Sequence, residues 1–146
     1  MILKKILLAE DNPNDAELTL EALSGESLAN EVIWLKDGQD TLDYLRCEGD
    51  YAQREKINPG LILLDLKMPR VDGLQVLQEV KADPLLRNIP VVILTSSREE
   101  SDLVACYNHG VNAFVVKPVN FFDFMNCVSS LGVFWALLNE APPLEI

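Results

Sequence analysis

Cysteine and histidine are scarce in this sequence. It contains one histidine and three cysteines, Cys47, Cys106 and Cys127, which form no CxxC pair. An odd number of widely spaced cysteines does not fit a disulfide framework and indicates reduced thiols that act as small buried hydrophobic residues. We therefore predict a cytoplasmic protein whose fold does not depend on disulfide bonds.

Basic residues are also few. Lysine and arginine together number 12 against 23 acidic residues, which gives a formal net charge of −11. This balance does not favour a broad phosphate-binding surface for DNA or RNA, and it suits cations and protein partners better. We therefore expect no nucleic-acid partner.

Long hydrophobic runs are missing as well. The apolar start, MILKKILLAED, is interrupted by Lys4 and Lys5 and stopped by Glu10 and Asp11, unlike a signal peptide, and no stretch is long enough to span a membrane. Hydrophobic residues nevertheless make up 49% of the 146 residues, enough for one compact domain with a core and too few for two. We predict a single domain over 1–146 and no membrane partner.

Short apolar runs alternate with longer amphipathic segments along the chain. The central runs LILL and VVIL are apolar at every position, which is typical of parallel strands covered by helices on both faces. The stretch 47–60 is polar without a clear period and is predicted to be a long surface loop. The pattern favours a five-stranded α/β fold with right-handed crossovers. Strands are predicted at 5–9, 31–36, 61–65, 91–95 and 113–117, and helices at 14–24, 38–47, 73–82, 98–109 and 121–138, the last being unusually long and followed by a short tail.

Polar side chains follow four of the predicted strands. The first strand is followed by Glu10 and Asp11, the third ends on Asp65, the fourth on Thr95 and the fifth on Lys117. Each residue alone is most simply a turn, cap or solvated residue. The carboxyl ends of parallel strands meet at one edge, however, where open α/β sheets bind ligands. Complementary groups from four segments at one edge therefore indicate a functional site.

Four motifs containing these residues, LLAEDN, LLDLKMPRVDG, ILTSS and VVKPVN, resemble the phosphorylation site of the two-component response-regulator receiver domain. The resemblance covers essentially the whole chain. It implies a doubly wound, flavodoxin-like parallel sheet with strand order 2-1-3-4-5, and it implies that a histidine kinase donates a phosphoryl group to Asp65. The loop before the third strand and the ending LGVFWALLNEAPP further resemble small single-domain regulators paired with cyanobacterial phytochromes, so a phytochrome is the implied kinase.

The chemistry of these residues supports the same interpretation. Clustered carboxylates repel one another, so a hard divalent cation such as Mg²⁺ is their natural partner. Asp11 and Asp65 are predicted to bind it directly and Glu10 through water, and the resemblance adds the backbone carbonyl of Lys67. Asp65 is then the nucleophile that attacks phosphorus in line. Lys117 and Thr95 are predicted to supply the remaining donors.

The resemblance also implies a switch and a contact face. In receivers the threonine moves toward the phosphoryl group and an aromatic residue on the fifth strand turns inward; that position is Phe114 here. The usual contact face is formed by the fourth helix, fifth strand and fifth helix. Because helical spacing directs Phe124 to the core, Phe121 or Phe122 should face outward. We predict a homodimer through this face, with these contact residues: Leu103, Tyr107, Phe121 and Phe122.

Three other interpretations stay open. An aspartyl-phosphate phosphatase usually needs a second acid two residues after the nucleophile, where this chain has Lys67. A flavin- or nucleotide-binding domain needs a glycine-rich loop after the first strand, where the sequence is EDNPND. A degenerate receiver would act as an unphosphorylated interaction module. We expect a signalling protein that is not an enzyme and whose output is a protein contact or onward phosphoryl transfer.

Overall fold

The computed structural model describes residues 5–23, 31–95, 113–120, 122–124 and 126. Within them, every predicted strand and the first three predicted helices are present, with ends within one residue of the predicted ones. The predicted helix at 98–109 and most of the one at 121–138 lie outside the described residues. The strands are β1 (Ile6–Ala9), β2 (Val32–Leu35), β3 (Leu61–Asp65), β4 (Val91–Thr95) and β5 (Ala113–Val116), and the helices are α1 (Pro13–Leu23), α2 (Gly38–Arg46) and α3 (Gly73–Ala82).

The five strands form one parallel sheet in the order β2-β1-β3-β4-β5. The fold class and strand order are therefore confirmed. In β3, Leu61 and Leu63 face one hydrophobic cluster, with α1 residues and Phe124, whereas Ile62 and Leu64 face the other, with residues of α2 and α3. All four are at most 1% exposed, because the sheet is covered on both faces. This double covering explains why the central runs are apolar at every position.

Each described helix begins near the carboxyl ends of the strands, and a side chain caps its first turn. The Asn12 side chain accepts hydrogen bonds from the amides of Asn14 (2.9 Å) and Asp15 (3.1 Å) at the start of α1. Asp37 and Asp72 cap α2 and α3 in the same way. These caps satisfy free amide groups of the first turns. They also fix three helix N-termini beside the edge of the sheet where the polar residues lie.

The predicted loop at 47–60 contains one short 3-10 helix, Gly49–Tyr51. The Tyr51 ring packs edge-on against Tyr44 of α2, with 5.3 Å between ring centroids. The Arg54 guanidinium lies over the Tyr44 ring and its Nε donates to the Tyr44 carbonyl at 2.6 Å. These contacts hold the loop against α2 through residues whose spacing follows neither a helical nor a strand repeat. The sequence of the loop therefore shows no periodicity.

None of the helices in the described part of the chain is both long and apolar enough to cross a membrane.

Candidate functional site

Acidic residues from β1 and β3 meet at the carboxyl edge of the sheet. Ala9 is paired with Leu64, so the next residues, Glu10 and Asp65, lie side by side. Asp11 follows at the surface, and one carboxylate oxygen from each of these three acids lies within 4.8 Å of the others. The structure therefore brings together the three acids that the strand ends predict to be neighbours.

Glu10 is the most buried of these acids, with 0% of its surface exposed. Its Oε2 accepts a hydrogen bond from the Asn12 amide at 3.2 Å, and its Oε1 makes an ion-pair contact with Lys117 Nζ without a hydrogen bond of regular geometry. Burial is the main cause that raises the pKa of Glu10 above 4.5, and the adjacent Asp65 adds to the rise, whereas Lys117 opposes it. The surroundings of Glu10 therefore favour its protonated form more than water does.

Lys117, the residue after β5, supplies a positive charge to the site. Its side chain is 9% exposed, and its Nζ contacts Glu10 Oε1 and lies 3.3 Å from Asp65 Oδ2 and 3.2 Å from Asp15 Oδ2. Burial alone would lower the pKa of Lys117, but the close contact with Glu10 and the charge of Asp65 outweigh burial and raise the pKa above 10.5. Lys117 is therefore an ammonium at neutral pH and lies beside the Asp65 carboxylate.

Asp65 is positioned by the turn that leads from β3 into α3. It is 7% exposed, and the chain returns so closely that the Gly73 amide donates to the Leu66 carbonyl at 2.8 Å. A Cβ atom on Gly73 would lie 2.0 Å from the Asp65 carbonyl oxygen, so only glycine fits there. The N-terminus of α3 thus lies directly against the backbone of Asp65.

The donor set fits a hard divalent cation. The Lys117 ammonium contacts the carboxylates of Glu10, Asp15 and Asp65, and a fourth carboxylate, from Asp11, lies near those of Glu10 and Asp65. Charged oxygens are the ligands that Mg²⁺ and Mn²⁺ favour, and the excess negative charge disfavours an empty site. Glu10, Asp11 and Asp65 are the residues that could hold such an ion, with Asp11 on the solvent side.

The other predicted site residues are placed as follows. Thr95 ends β4 opposite Val116 of β5, at the same edge of the sheet as Asp65, but its side chain lies outside the described part of the chain. Lys67 is exposed two residues after Asp65, and its role as a carbonyl ligand stays a prediction. Phe114 is half-buried on β5 and packs against the cluster formed with α2 and α3. The switch role of Phe114 likewise stays a prediction.

The predicted contact face is only partly described. Phe122 is 73% exposed and Phe124 is fully buried, which agrees with the helical spacing used to assign them. Leu103, Tyr107 and Phe121 lie outside the described residues. The dimer itself stays a prediction.

Sequence analysis missed two residues at the site. Asp15 pairs with Lys117, yet it lies in the first turn of α1 and not at a strand end. Its position four residues after Asp11, at the start of a helix that begins at the same edge, could have indicated it. Trp34 of β2 donates from Nε1 to the Glu10 carbonyl at 2.8 Å, a contact between neighbouring strands that no local pattern predicts.

Comparison with known proteins gives a consistent result. Residues 6–129 match the model of the response regulator receiver domain. The chain is 40% identical over 132 residues to the response regulator Rcp1 of Synechocystis, covering 90% of this chain and 88% of Rcp1. Among solved structures, it is 60% identical to the bacteriophytochrome response regulator AtBRR, with a TM-score of 0.87 and coverage of 96% of this chain and 100% of AtBRR.

Two further solved structures show relatives in defined chemical states. A phosphorylated form of the cyanobacterial phytochrome response regulator RcpA is 42% identical, with a TM-score of 0.77 and coverage of 92% of this chain and 94% of RcpA. A Mn²⁺-bound form of Rcp1 is 39% identical, with a TM-score of 0.76 and coverage of 97% and 99%. By sequence, fold and the arrangement of its acidic edge, this chain belongs to the family of response regulator receiver domains.

Proposed function

We propose that this protein accepts a phosphoryl group on Asp65 from a histidine kinase and uses it to change a protein-contact surface. The observation that carries the proposal is the position of Asp65 next to two complementary groups. Its carboxylate lies in one cluster with the oxygens of Glu10 and Asp11, and it lies 3.3 Å from the Lys117 ammonium. An attacking carboxylate next to both a cation-binding cluster and an ammonium has the arrangement that phosphoryl transfer needs.

In the proposed step a carboxylate oxygen of Asp65 forms a bond to phosphorus while the phosphorus–nitrogen bond of the kinase phosphohistidine breaks. The bonding electron pair goes to the imidazole nitrogen, which then takes up a proton. The Lys117 ammonium donates to a phosphoryl oxygen as the group arrives, and burial of the side chain keeps this donor in place. We propose the role of a phosphoryl acceptor and not that of a phosphatase or other enzyme.

We propose Mg²⁺ as the metal, held by Glu10, Asp11 and Asp65. The existence of a Mn²⁺-bound form of the similar protein Rcp1 supports the binding of a divalent ion. When bound, such an ion neutralises negative charge on the phosphoryl oxygens. The excess of carboxylates over ammonium at this edge means that the ion also relieves repulsion in the folded protein.

Saturating Mg²⁺ is therefore expected to raise the thermal midpoint of unfolding by about 5–10 °C at a concentration 100 times Kd. The Asp11→Asn variant should lose most of this rise, because it removes the exposed ligand. The control is Glu17→Gln, which removes a charge from the exposed surface of α1 outside the cluster. Calorimetry with and without Mg²⁺ measures the midpoints of the wild type and the two variants. A wild-type midpoint that does not move at saturating Mg²⁺ would contradict the metal site.

The covalent step is tested with acetyl phosphate and Mg²⁺, which transfer a phosphoryl group and release acetate. Intact-mass spectrometry should show one phosphoryl adduct on the wild type, lost on treatment with hydroxylamine because the bond is an acyl phosphate. Asp65→Asn should show none. Peptide mapping that places the adduct on His109 would overturn the proposal.

Similarity to Rcp1, AtBRR and RcpA supports a phytochrome as the kinase, since AtBRR and RcpA are described as response regulators of phytochromes. A cytoplasmic location is proposed on the same basis, because a histidine kinase presents its phosphohistidine to its regulator there. Co-purification of this protein with phytochrome kinases and measurement of phosphoryl transfer would identify the donor.

The exposed Phe122 supports the proposed homodimer through the fourth helix, fifth strand and fifth helix. A phenylalanine that is 73% exposed beside the fully buried Phe124 gives this face an apolar contact. Phe122→Asp is expected to weaken self-association at least tenfold in analytical ultracentrifugation, with Leu85→Asp, another exposed apolar residue at 80%, as the control. If the wild type stays monomeric at tens of micromolar (about −6 kcal/mol of association free energy) with and without beryllofluoride, the face serves another protein.

A further inference from the structure

The Lys117 ammonium contacts three carboxylates and donates a hydrogen bond of regular geometry to one of them, Asp15. An ammonium has three N–H groups, and Nζ contacts Glu10 after β1, Asp15 in the first turn of α1 and Asp65 at the end of β3. Glu10 and Asp65 also belong to the acidic cluster that could bind a metal ion. Among these three partners, Asp15 is the one outside that cluster. Its link to the site therefore passes through Lys117.

Asp15 is held in place independently of Lys117. Its backbone amide donates to the Asn12 side chain at 3.1 Å, and it lies in the first turn of a helix, where a carboxylate is stabilised by the helix dipole. Its side chain is 37% exposed, so water can solvate the charge when Lys117 moves away. Asp15 can therefore keep its negative charge near the site without following the ammonium.

Phosphorylation of Asp65 would place new hydrogen-bond acceptors beside the Lys117 ammonium. The phosphoryl group brings a charge of about −1.5 to −2 and three acceptor oxygens to the position next to Nζ. Donors of Lys117 that now serve carboxylates would have to turn toward these oxygens. The hydrogen bond from Nζ to Asp15 Oδ2 at 3.2 Å holds one donor on the α1 side.

We propose that Asp15 is a positioning residue that competes with the phosphoryl group for Lys117 and thereby weakens the phosphorylated state. The inference rests on the proposed function at Asp65. Through the ion pair between Asp15 and Lys117, helix α1 would help to set how strongly the phosphoryl group is retained.

The test measures binding of beryllofluoride, which attaches to an aspartate as a phosphoryl mimic, at saturating Mg²⁺. Asp15→Asn should bind it about two- to fivefold more tightly than the wild type, the range for a partly exposed ion pair. Glu17→Gln removes the same charge from an exposed α1 position without a contact to Lys117, so its affinity should match the wild type. The Mg²⁺ affinity of each variant is measured separately so that saturation is assured.

A second comparison separates competition from a structural effect. In a Lys117→Ala background, Asp15→Asn should change beryllofluoride affinity no more than Glu17→Gln does, because the competed ammonium is gone. If Asp15 had only a structural role, Asp15→Asn would lower the thermal midpoint and also weaken beryllofluoride binding. Competition instead predicts tighter beryllofluoride binding, independent of any change in the midpoint.

The outcomes distinguish this inference from the proposed function. If the wild type binds no beryllofluoride and takes no label on Asp65, the proposed function is wrong. If the wild type binds beryllofluoride and Asp15→Asn binds it equally or more weakly, the proposed competition for Lys117 is wrong, but the proposed function stands.

Discussion

Replacing Lys117 with alanine is expected to lower the free energy of unfolding of the metal-free protein by about 3 kcal/mol, the lower end of the range for removing one partner of a buried ion pair. The Lys117 side chain is 9% exposed and contacts three carboxylates, two of them on the nearly buried Glu10 and Asp65. Without the ammonium, no other cationic side chain in the described part of the chain forms an ion pair with these carboxylates. The loss stays near the lower end because Asp15 can turn to water and Glu10 can take up a proton.

The stability that Lys117→Ala loses relative to the wild type should increase as pH rises. The pKa of Glu10 lies above 4.5 because of burial first and Asp65 second, and Lys117 opposes the rise, so removing Lys117 raises the pKa further. A carboxyl group with a higher pKa in the folded chain binds extra protons on folding, so stability falls as pH rises from 4.5 through the folded pKa. The variant should therefore be closest to the wild type at about pH 5 and furthest from it at about pH 8.

The ionisation of Lys117 itself does not change the stability of the wild type between pH 5 and pH 8. Its pKa in the folded protein lies above 10.5, so its stabilising charge is present below that value and is lost only as pH rises through the folded pKa. Any change in the difference between variant and wild type from pH 5 to pH 8 therefore reports on the acids, and Glu10 is the acid of the cluster whose pKa is raised.

Urea unfolding of the wild type, Lys117→Ala and Lys56→Ala at both pH values measures these effects. Lys56 is exposed and lies away from the acidic edge, so its variant matches the charge change without touching the site. Mg²⁺ should restore part of the stability of Lys117→Ala, because the ion supplies the missing positive charge. An equal loss in both lysine variants, or no recovery at low pH, would show that the ammonium does not balance these carboxylates.

The strands could be predicted from sequence because burial on both faces leaves an unmistakable pattern. LILL and VVIL are apolar at every position, and in the structure β3 and β4 lie in the middle of the sheet. The order of the strands could not be derived from that pattern, since every parallel order buries the same runs. It came from the resemblance of the motifs to receiver domains.

The site was predictable to the extent that it lies at strand ends. Glu10, Asp65 and Lys117 follow apolar runs directly, so the rule that parallel strands end at one edge brings them together. Asp15 and Trp34 reach the same place from a helix turn and a neighbouring strand. Their contacts depend on how elements pack, and sequence spacing alone does not show this.

Replacing Gly73 with alanine is expected to destabilise the protein by about 2–3 kcal/mol or more, the upper part of the range for adding a methyl group to a packed site. The added Cβ would lie 2.0 Å from the Asp65 carbonyl oxygen, 2.8 Å from Leu66 Cα and 2.9 Å from the Asp65 carbonyl carbon. All three neighbours are backbone atoms, so no side chain can rotate away. Alanine favours a helix over glycine by up to about 1 kcal/mol, but the clash outweighs this gain.

The same substitution should also impair the site. To admit the methyl group, either the start of α3 or the backbone of Asp65 must move, and Asp65 lies 3.3 Å from Lys117 in the present arrangement. We therefore expect slower labelling by acetyl phosphate in the part of the population that stays folded, measured well below the melting midpoint. Gln75→Ala is the control, because it adds alanine at an exposed position of the same helix and should change neither stability by more than about 0.5 kcal/mol nor labelling. If Gly73→Ala is as stable as Gln75→Ala and is labelled at the wild-type rate, the close approach of α3 to Asp65 does not hold the phosphoacceptor in place.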